Sequence, residues 1–131
     1  MDIRKLTLKI LPGRMAVCRF ESSAPLPGWI DQPGFYSITR TTEELSVVCS
    51  EGRVPPGTKS EAGWRCFQLI GPLGFSEVGI ISALTQPLSE NGVGVFALST
   101  FDTDYLMVKE KDLAKAIDAL KAQGHQINEA D

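Results

Sequence analysis

Residues that commonly carry catalysis are sparse in this chain. One histidine, His125, lies near the C-terminal end, and three cysteines, Cys18, Cys49 and Cys66, stand far apart inside apolar, strand-like runs. Zinc sites use closely spaced Cys and His pairs, and none occurs, so we expect no metal site and interpret the thiols as small buried hydrophobes. Because His125 follows a helix stop, we predict a surface or strand-edge residue and not a general base.

Sequence motifs of the common enzyme classes are also missing. The chain has no G-x-S-x-G, no H-E-x-x-H, no P-loop and no G-x-G-x-x-G after a strand. Gly92 and Gly94 stand between a helix and a strand, which is the wrong context for a dinucleotide loop. We therefore expect no catalytic residue, no cofactor and no enzymatic activity.

A glycine-containing loop and an acidic turn point instead to a ligand. The segment 71–76 (GPLGFS) joins a strand to a helix, where free N–H groups attract an anion such as a carboxylate. Glu77 follows in the first predicted helical turn, and Asp104 begins a later strand that can reach the same sheet edge. Phe101 would supply an apolar wall. This polarity suits a zwitterion, with its carboxylate on backbone amides and its positive group on Glu77 or Asp104.

The acidic residues also have purely structural explanations. Glu77 would favour the dipole of its helix without any ligand. Asp104 and Asp102 belong to a turn in which aspartate often bonds its own backbone. From the residues alone, a ligand site and a stabilised turn remain open alternatives.

The second half of the chain reads as β-α-β-β-α-β. Ser76 is the predicted N-cap of the first helix, whose apolar residues recur at helical spacing up to Leu88. The predicted strands are 64–70, 93–99, 105–108 and 125–127, and the second helix spans Leu113 to Leu120. Two helices on one face of an antiparallel sheet make an α+β, ferredoxin-like fold.

The first half is strand-rich and less regular. Strands are predicted at 4–11, 15–20, 35–39 and 45–49, and the Pro- and Gly-rich segment 52–63 is predicted as a linker or long surface loop. When the sequence is aligned with itself at a shift of about 60 residues, a strand, a Thr-rich acidic turn and a second strand of the first half fall on the same three features of the second half. This coincidence favours an internal duplication. We expect two halves that pack together, 1–60 and 61–131.

Composition limits the possible partners and location. The 131 residues carry a net charge of −3, which offers no surplus positive charge to nucleic acid. No apolar run approaches the length of a membrane span, and the N-terminus lacks the apolar core of a signal peptide. We therefore predict a cytoplasmic protein with no nucleic-acid or membrane partner.

The motifs of the second half resemble an ACT domain. The most specific stretch is 99–105 (STFDTDY), supported by 79–84 (GIISAL) and 92–96 (GVGVF). More narrowly, the chain resembles tandem-ACT proteins that include the cytosolic arginine sensors of the CASTOR family. The first half resembles their degenerate ACT repeat.

That resemblance implies amino-acid sensing without catalysis at an interface between ACT units. Carried over by motif, the ligand-binding positions are Gly74, Glu77, Val78, Phe101, Thr103 and Asp104. The arginine sensors carry more ACT units, so the identity of the ligand does not transfer. Because ACT sheets commonly pair at their edges, a homodimer is also expected.

Two other functions stay open. The chain could be a protein-interaction or dimerisation module with a vestigial pocket, which predicts an unidentified protein partner and no response to small molecules. An enzyme would need turnover that depends on His125 or on a free thiol.

Overall fold

In the part of the chain that the structure describes, eight strands and two α-helices make up the fold. The computed structural model describes residues 5–70 and 78–129. The helices are α1 (Ile80–Glu90) and α2 (Leu113–Ala122). The strands are β1 (Thr7–Ile10), β2 (Met15–Phe20), β3 (Ser37–Arg40), β4 (Leu45–Ser50), β5 (Ser60–Leu69), β6 (Phe96–Ser99), β7 (Asp104–Lys109) and β8 (Gln126–Glu129). This mixed architecture confirms the predicted α+β class.

The chain divides into two compact units. The larger unit contains the residues up to 12 together with those from 65 onward, and the smaller unit is 13–64. Strand β5 runs through both, with its first half in the smaller unit. The division at residue 60 stays a prediction, but β1, which the sequence placed in the first half, lies in the larger unit.

The larger unit has the predicted β-α-β-β-α-β order with one strand added. Its strands follow the order β6-β7-β5-β1-β8. Strand β1 pairs antiparallel with β5, for example Leu8 with Leu69, and parallel with β8, where Leu8 faces Ile127. Because Leu8 and Ile10 are buried, the inserted strand contributes to the core of this unit.

The two helices cover this core with the apolar positions that the sequence pattern predicted. Leu84 and Leu88 of α1 and Ala116 and Leu120 of α2 are fully buried at helical spacing. They join the buried side chains of the sheet, which include Leu8, Phe67, Leu69, Leu106 and Val108. Burying one leucine contributes about 1.5–3 kcal/mol, so this stripe is a large share of the unit's stability.

The prediction for the start of the first helix was wrong. Ser76 and Glu77 lie outside the described residues, but α1 begins at Ile80 with Gly79 at its N-cap. Gly79 has φ of 83°, a left-handed conformation that is costly for residues with a side chain. The first turn of α1 therefore contains no acidic residue, and Glu77 does not stabilise its dipole from within that turn.

The smaller unit is built from strands without an α-helix in its described residues. Its order is β3-β4-β2 followed by the first half of β5. The segment predicted as a long loop ends earlier than expected, because residues from Ser60 pair with β2, where Cys18 faces Ser60. Its core consists of Ala16, Cys18, Ile30, Leu45, Val47 and Cys49.

Arginine side chains support the long connection between β2 and β3. Arg40 donates to the carbonyls of Ser22 and Ala24, the latter at 2.8 Å. Arg53 donates to the carbonyl of Pro33 in the second part of the same connection. Because this proline-containing segment forms no helix, guanidinium donors satisfy carbonyl groups that a helix would satisfy internally.

The β3–β4 and β6–β7 hairpins close in the same way. The N–H of Thr41 donates to the carbonyl of Glu44, and the N–H of Thr100 donates to that of Thr103, both at 2.8 Å. The hydroxyl of each first threonine also accepts a backbone N–H from the end of its own turn, at 3.1 and 3.3 Å. The equivalent threonines are 59 residues apart, one fewer than the shift that the sequence comparison used.

The cysteines are buried, whereas the prediction for the histidine was wrong. Cys18, Cys49 and Cys66 are free and buried, and burial raises the pKa of Cys66 to about 12 and that of Cys49 to about 11. The thiols thus behave as the predicted small hydrophobes. His125, predicted at the surface or a strand edge, is only 3% exposed.

Candidate ligand-binding site

The predicted site residues lie in two segments of the larger unit. Gly74 and Glu77 fall outside the described residues. Val78 directly precedes the N-cap of α1, and its side chain is 93% exposed. Phe101, Thr103 and Asp104 lie in or next to the β6–β7 turn, where the sequence analysis placed them.

Thr103 ties this turn to the end of β5. It is 6% exposed, and its hydroxyl donates to the carbonyl of Leu69 at 2.6 Å. Leu69 is the last residue of β5, directly before the segment that leads through the glycine loop. The bond therefore links the turn to the end of β5, whereas residues 71–76, which the sequence predicted to meet the turn, lie outside the described residues. Thr103 positions the turn, since its hydroxyl already has a protein acceptor.

Asp104 presents a carboxylate at the start of β7. Its Oδ1 accepts a hydrogen bond of 2.5 Å from the hydroxyl of Ser99, which lies directly opposite in the β6–β7 register. Within the described ranges, no cationic side chain forms an ion pair with Asp104. The turn therefore offers negative charge that a ligand's positive group could neutralise.

Ser99 is a residue that the sequence analysis missed. Its hydroxyl donates to one oxygen, Oδ1, of Asp104. The signal was available, because residues that flank a four-residue turn face each other across the hairpin. In 99–104 (STFDTD) the serine and the second aspartate occupy those two positions.

Three exposed apolar side chains occur in this turn, at the end of β5 and before α1. Phe101 is 79% exposed in the turn itself, Val78 precedes α1, and Ile70 follows the last residue of β5. Together with Asp104, they would give a site with an acidic and an apolar part.

The free amide donors of the first helix lie later than predicted. The first hydrogen bond of α1 runs from the N–H of Ala83 to the carbonyl of Gly79 at 2.9 Å. The N–H groups of residues 80–82 therefore have no partner within the helix. The predicted anion donors at Gly74–Val78 do not include these residues, and of that predicted set only Val78, which directly precedes the N-cap, is described.

Two open grooves elsewhere contain none of the predicted site residues. One, of about 490 Å³, lies between the end of α1 and α2 and is lined mainly by polar side chains that include Glu90, Lys115 and Asp118. The other, of about 430 Å³, borders residues 51–62 of the smaller unit. Across residues 5–70 and 78–129, no group of three His, Cys, Asp or Glu could hold a metal ion. No helix in that part is long and apolar enough to span a membrane.

Family models match both parts of the chain. An ACT-domain model matches residues 59–122, and a model of an N-terminal domain matches residues 13–57. The human protein named cytosolic arginine sensor for mTORC1 subunit 1 is 34% identical over 97 residues. That match covers 66% of this chain but only 30% of the human protein. The mouse protein of the same name is 36% identical over 105 residues, with 71% and 31% of the two chains covered.

Solved structures show the same fold. An aspartate kinase from Clostridium acetobutylicum aligns with a TM-score of 0.62 at 13% identity, over 88% of this chain and 33% of the kinase. The protein Atu0741 from Agobacterium tumefaciens aligns with a TM-score of 0.92 at 43% identity, over 98% of this chain and 96% of its own. These matches confirm the ferredoxin-like ACT fold and the resemblance to the arginine sensors. Residues 59–122 match the ACT-domain family, and the chain belongs to the same family as Atu0741.

Proposed function

We propose that this chain is a non-enzymatic regulatory module that binds an amino acid or a similar small zwitterion. The site would lie between the end of β5, the segment that enters α1 and the β6–β7 turn. The observation that carries the proposal is the carboxylate of Asp104, which accepts from Ser99 and forms no ion pair within the described ranges. It lies next to Thr103, whose hydrogen bond to Leu69 ties the turn to the end of β5. The relatives named as arginine sensors support sensing, but this chain spans about 30% of their length, so the ligand is left open.

Different site residues would contact different parts of the ligand. Asp104, with Glu77, would hold its ammonium or basic side chain, and Phe101 would pack on its stem. Its carboxylate would bind backbone amides from Gly74 to Val78 beside the N-terminus of α1. Thr103 would position the turn without touching the ligand.

Binding can be tested by thermal unfolding with each of the twenty amino acids at millimolar concentration. A ligand at a hundred times its dissociation constant adds about 2.7 kcal/mol, which moves the midpoint by several degrees. Asp104→Asn keeps the acceptor for Ser99 and removes only the charge, so we expect at least tenfold weaker binding. Asp118→Asn, an equal charge change on the exposed face of α2, is the matched control and should bind normally.

Two outcomes would contradict this proposal. If Asp104→Asn and Glu77→Gln both bind like the unmodified protein, the ligand lies elsewhere. If no amino acid shifts the midpoint, the second candidate gains support, namely an interaction module with a vestigial pocket. The exposed side chains of Val78 and Phe101 favour that candidate, which predicts a stable complex with another protein.

We also infer that the chain forms a homodimer in the cytoplasm. Strand β6 pairs only with β7 among the described strands, and its four residues carry no charge that would discourage pairing with a second copy. Light scattering with size-exclusion chromatography measures the state directly. A dimer mass that falls to the monomer value in Ala97→Lys would support pairing at β6, and a monomer mass throughout would contradict it.

A further inference from the structure

His125 stands where the C-terminal end of α2 turns into β8. Its backbone N–H donates to the carbonyl of Leu120 at 3.2 Å, and the preceding residue, Gly124, has φ of 90°. This left-handed turn directs the imidazole into the larger unit, where it is buried. It is the one histidine of the chain, and the proposed ligand site does not use it.

The imidazole accepts a hydrogen bond from the start of β1. Nδ1 of His125 receives the backbone N–H of Leu6 at 3.1 Å, while the carbonyl of Leu6 accepts from the N–H of Gln126 at 2.9 Å. A nitrogen that accepts a hydrogen bond carries no proton, so the ring is neutral with its proton on Nε2. The side chain thereby satisfies an N–H at the point where β1 begins to pair.

On its other side, the ring faces a carbonyl group that lacks its usual helical partner. In α1, the carbonyl of Ala83 would normally accept the N–H of residue 87, but residue 87 is proline and has none. The Ala83 carbonyl acts on His125 as a hydrogen-bond acceptor, and Nε2–H is the group available to it. Among the described residues, Nε2 has no partner with full hydrogen-bond geometry. The imidazole thus stands between two backbone groups, one on β1 and one on α1.

We propose that His125 is a pH-sensitive latch that holds the start of β1 in the larger unit only while its imidazole is neutral. A second proton must go to Nδ1, where the N–H of Leu6 already points. Two N–H groups would then face each other and the hydrogen bond would be lost. Protonation therefore releases the backbone N–H of Leu6 from His125.

The charges around the ring also disfavour protonation of His125. Lys5, which precedes β1, donates to the carbonyl of Gln123 at the end of α2 at 2.7 Å, and its ammonium disfavours a second positive charge nearby. From α1 the Ala83 carbonyl acts on the ring, the Leu120 carbonyl of α2 accepts the backbone N–H of His125, and no described carboxylate acts on the ring. Burial lowers the pKa of His125 below its ordinary value of 6.5, the Ala83 carbonyl opposes this, and Lys5 adds to it.

The sign of the pH dependence follows from this lowered pKa. Above about pH 6.5, the histidine is mostly neutral in both folded and unfolded chains, so it adds no pH dependence to the stability. Below that, the unfolded chain takes up a proton that the folded chain refuses, so stability falls. The folding equilibrium constant should decrease by up to tenfold per pH unit until the folded histidine itself titrates.

The experiment uses the single histidine as its own probe. We expect the ¹⁵N shifts of the ring to report the Nε2–H form, and the C–H signal of His125 to titrate below pH 6.5. Hydrogen exchange of the Leu6 amide should accelerate over the same pH range. A midpoint at or above 6.5, or a Leu6 amide that does not respond to the titration, would overturn the proposal.

A variant separates this histidine from other titrating groups. In His125→Asn, the side-chain oxygen occupies the position of Nδ1 and accepts from Leu6 without titrating. Urea unfolding from pH 5 to 8 should show that the variant lacks the decrease in stability that the unmodified protein shows below pH 6.5. An identical decrease in both proteins would also overturn the proposal. If the variant does not fold, the titration of the unmodified protein still decides the question.

Discussion

Replacing Thr103 by valine tests whether one hydroxyl holds the β6–β7 turn against β5. Valine has nearly the same shape as threonine, so the change removes the donor to the Leu69 carbonyl and little else. A buried carbonyl left without its partner costs about 1–3 kcal/mol. For a chain of 131 residues, about 1 kcal/mol moves the midpoint of thermal unfolding by roughly 4 °C. We therefore expect Thr103→Val to unfold roughly 4–12 °C lower.

Thr103→Ser is the matched control for this change. Serine keeps the hydroxyl and loses one buried methyl group, which costs about 0.8 kcal/mol. Urea unfolding of the two variants should rank valine below serine, although valine is the more hydrophobic residue. An equal or higher stability of Thr103→Val would refute the argument, because the hydrogen bond would then contribute nothing. If the turn also orients Asp104, Thr103→Val should weaken ligand binding, while Thr103→Ser should not.

Three further changes address other parts of the molecule. Arg40→Ala should lower the free energy of unfolding by about 0.5–1.5 kcal/mol and accelerate hydrogen exchange near Ala24, because two carbonyls of the β2–β3 connection lose their donor. Unchanged exchange would contradict this expectation. Gly124→Ala should cost about 1–2 kcal/mol in urea unfolding, since φ of 90° disfavours a side chain and the new Cβ would lie 2.6 Å from Nζ of Lys5. Cys66, whose pKa burial raises to about 12, should react with a thiol reagent at pH 8 only as the protein unfolds, and rapid labelling of the folded chain would show an accessible thiol.

Local sequence patterns predicted the helices and strands but not all the strand pairings. The apolar spacing in α1 and α2 and the hairpin around 100–103 are local signals, and the structure confirms them. The place of β1 was missed, because a strand's partners depend on residues far along the chain. The strand at Ser60 was missed for the same reason, since its Gly- and Pro-rich surroundings favour a loop until pairing with β2 is known.

Two misassigned residues show how tertiary contacts override the local structural preference of a residue type. Serine is a favoured N-cap, so Ser76 was predicted to begin the helix, but α1 begins after Gly79, whose backbone is left-handed. A histidine after a helix stop normally faces water. His125 is buried because backbone groups of Leu6 and Ala83, distant in sequence, adjoin it. In the candidate site, the turn was predictable from its sequence, whereas the hydrogen bond from Thr103 to Leu69 spans 34 residues and was not.

The position of β1 makes the larger unit dependent on two segments that are far apart in the sequence. Because Leu8 must meet Ile127, this sheet cannot close during synthesis until residue 127 has left the ribosome. Such distant pairings also slow folding, since the intervening chain must be closed into a loop first. A fragment that starts at residue 61 would keep both helices and lose the strand between β5 and β8. An independent version of this unit therefore needs residues 5–12 supplied again, for example by joining them after β8 in a circular permutant.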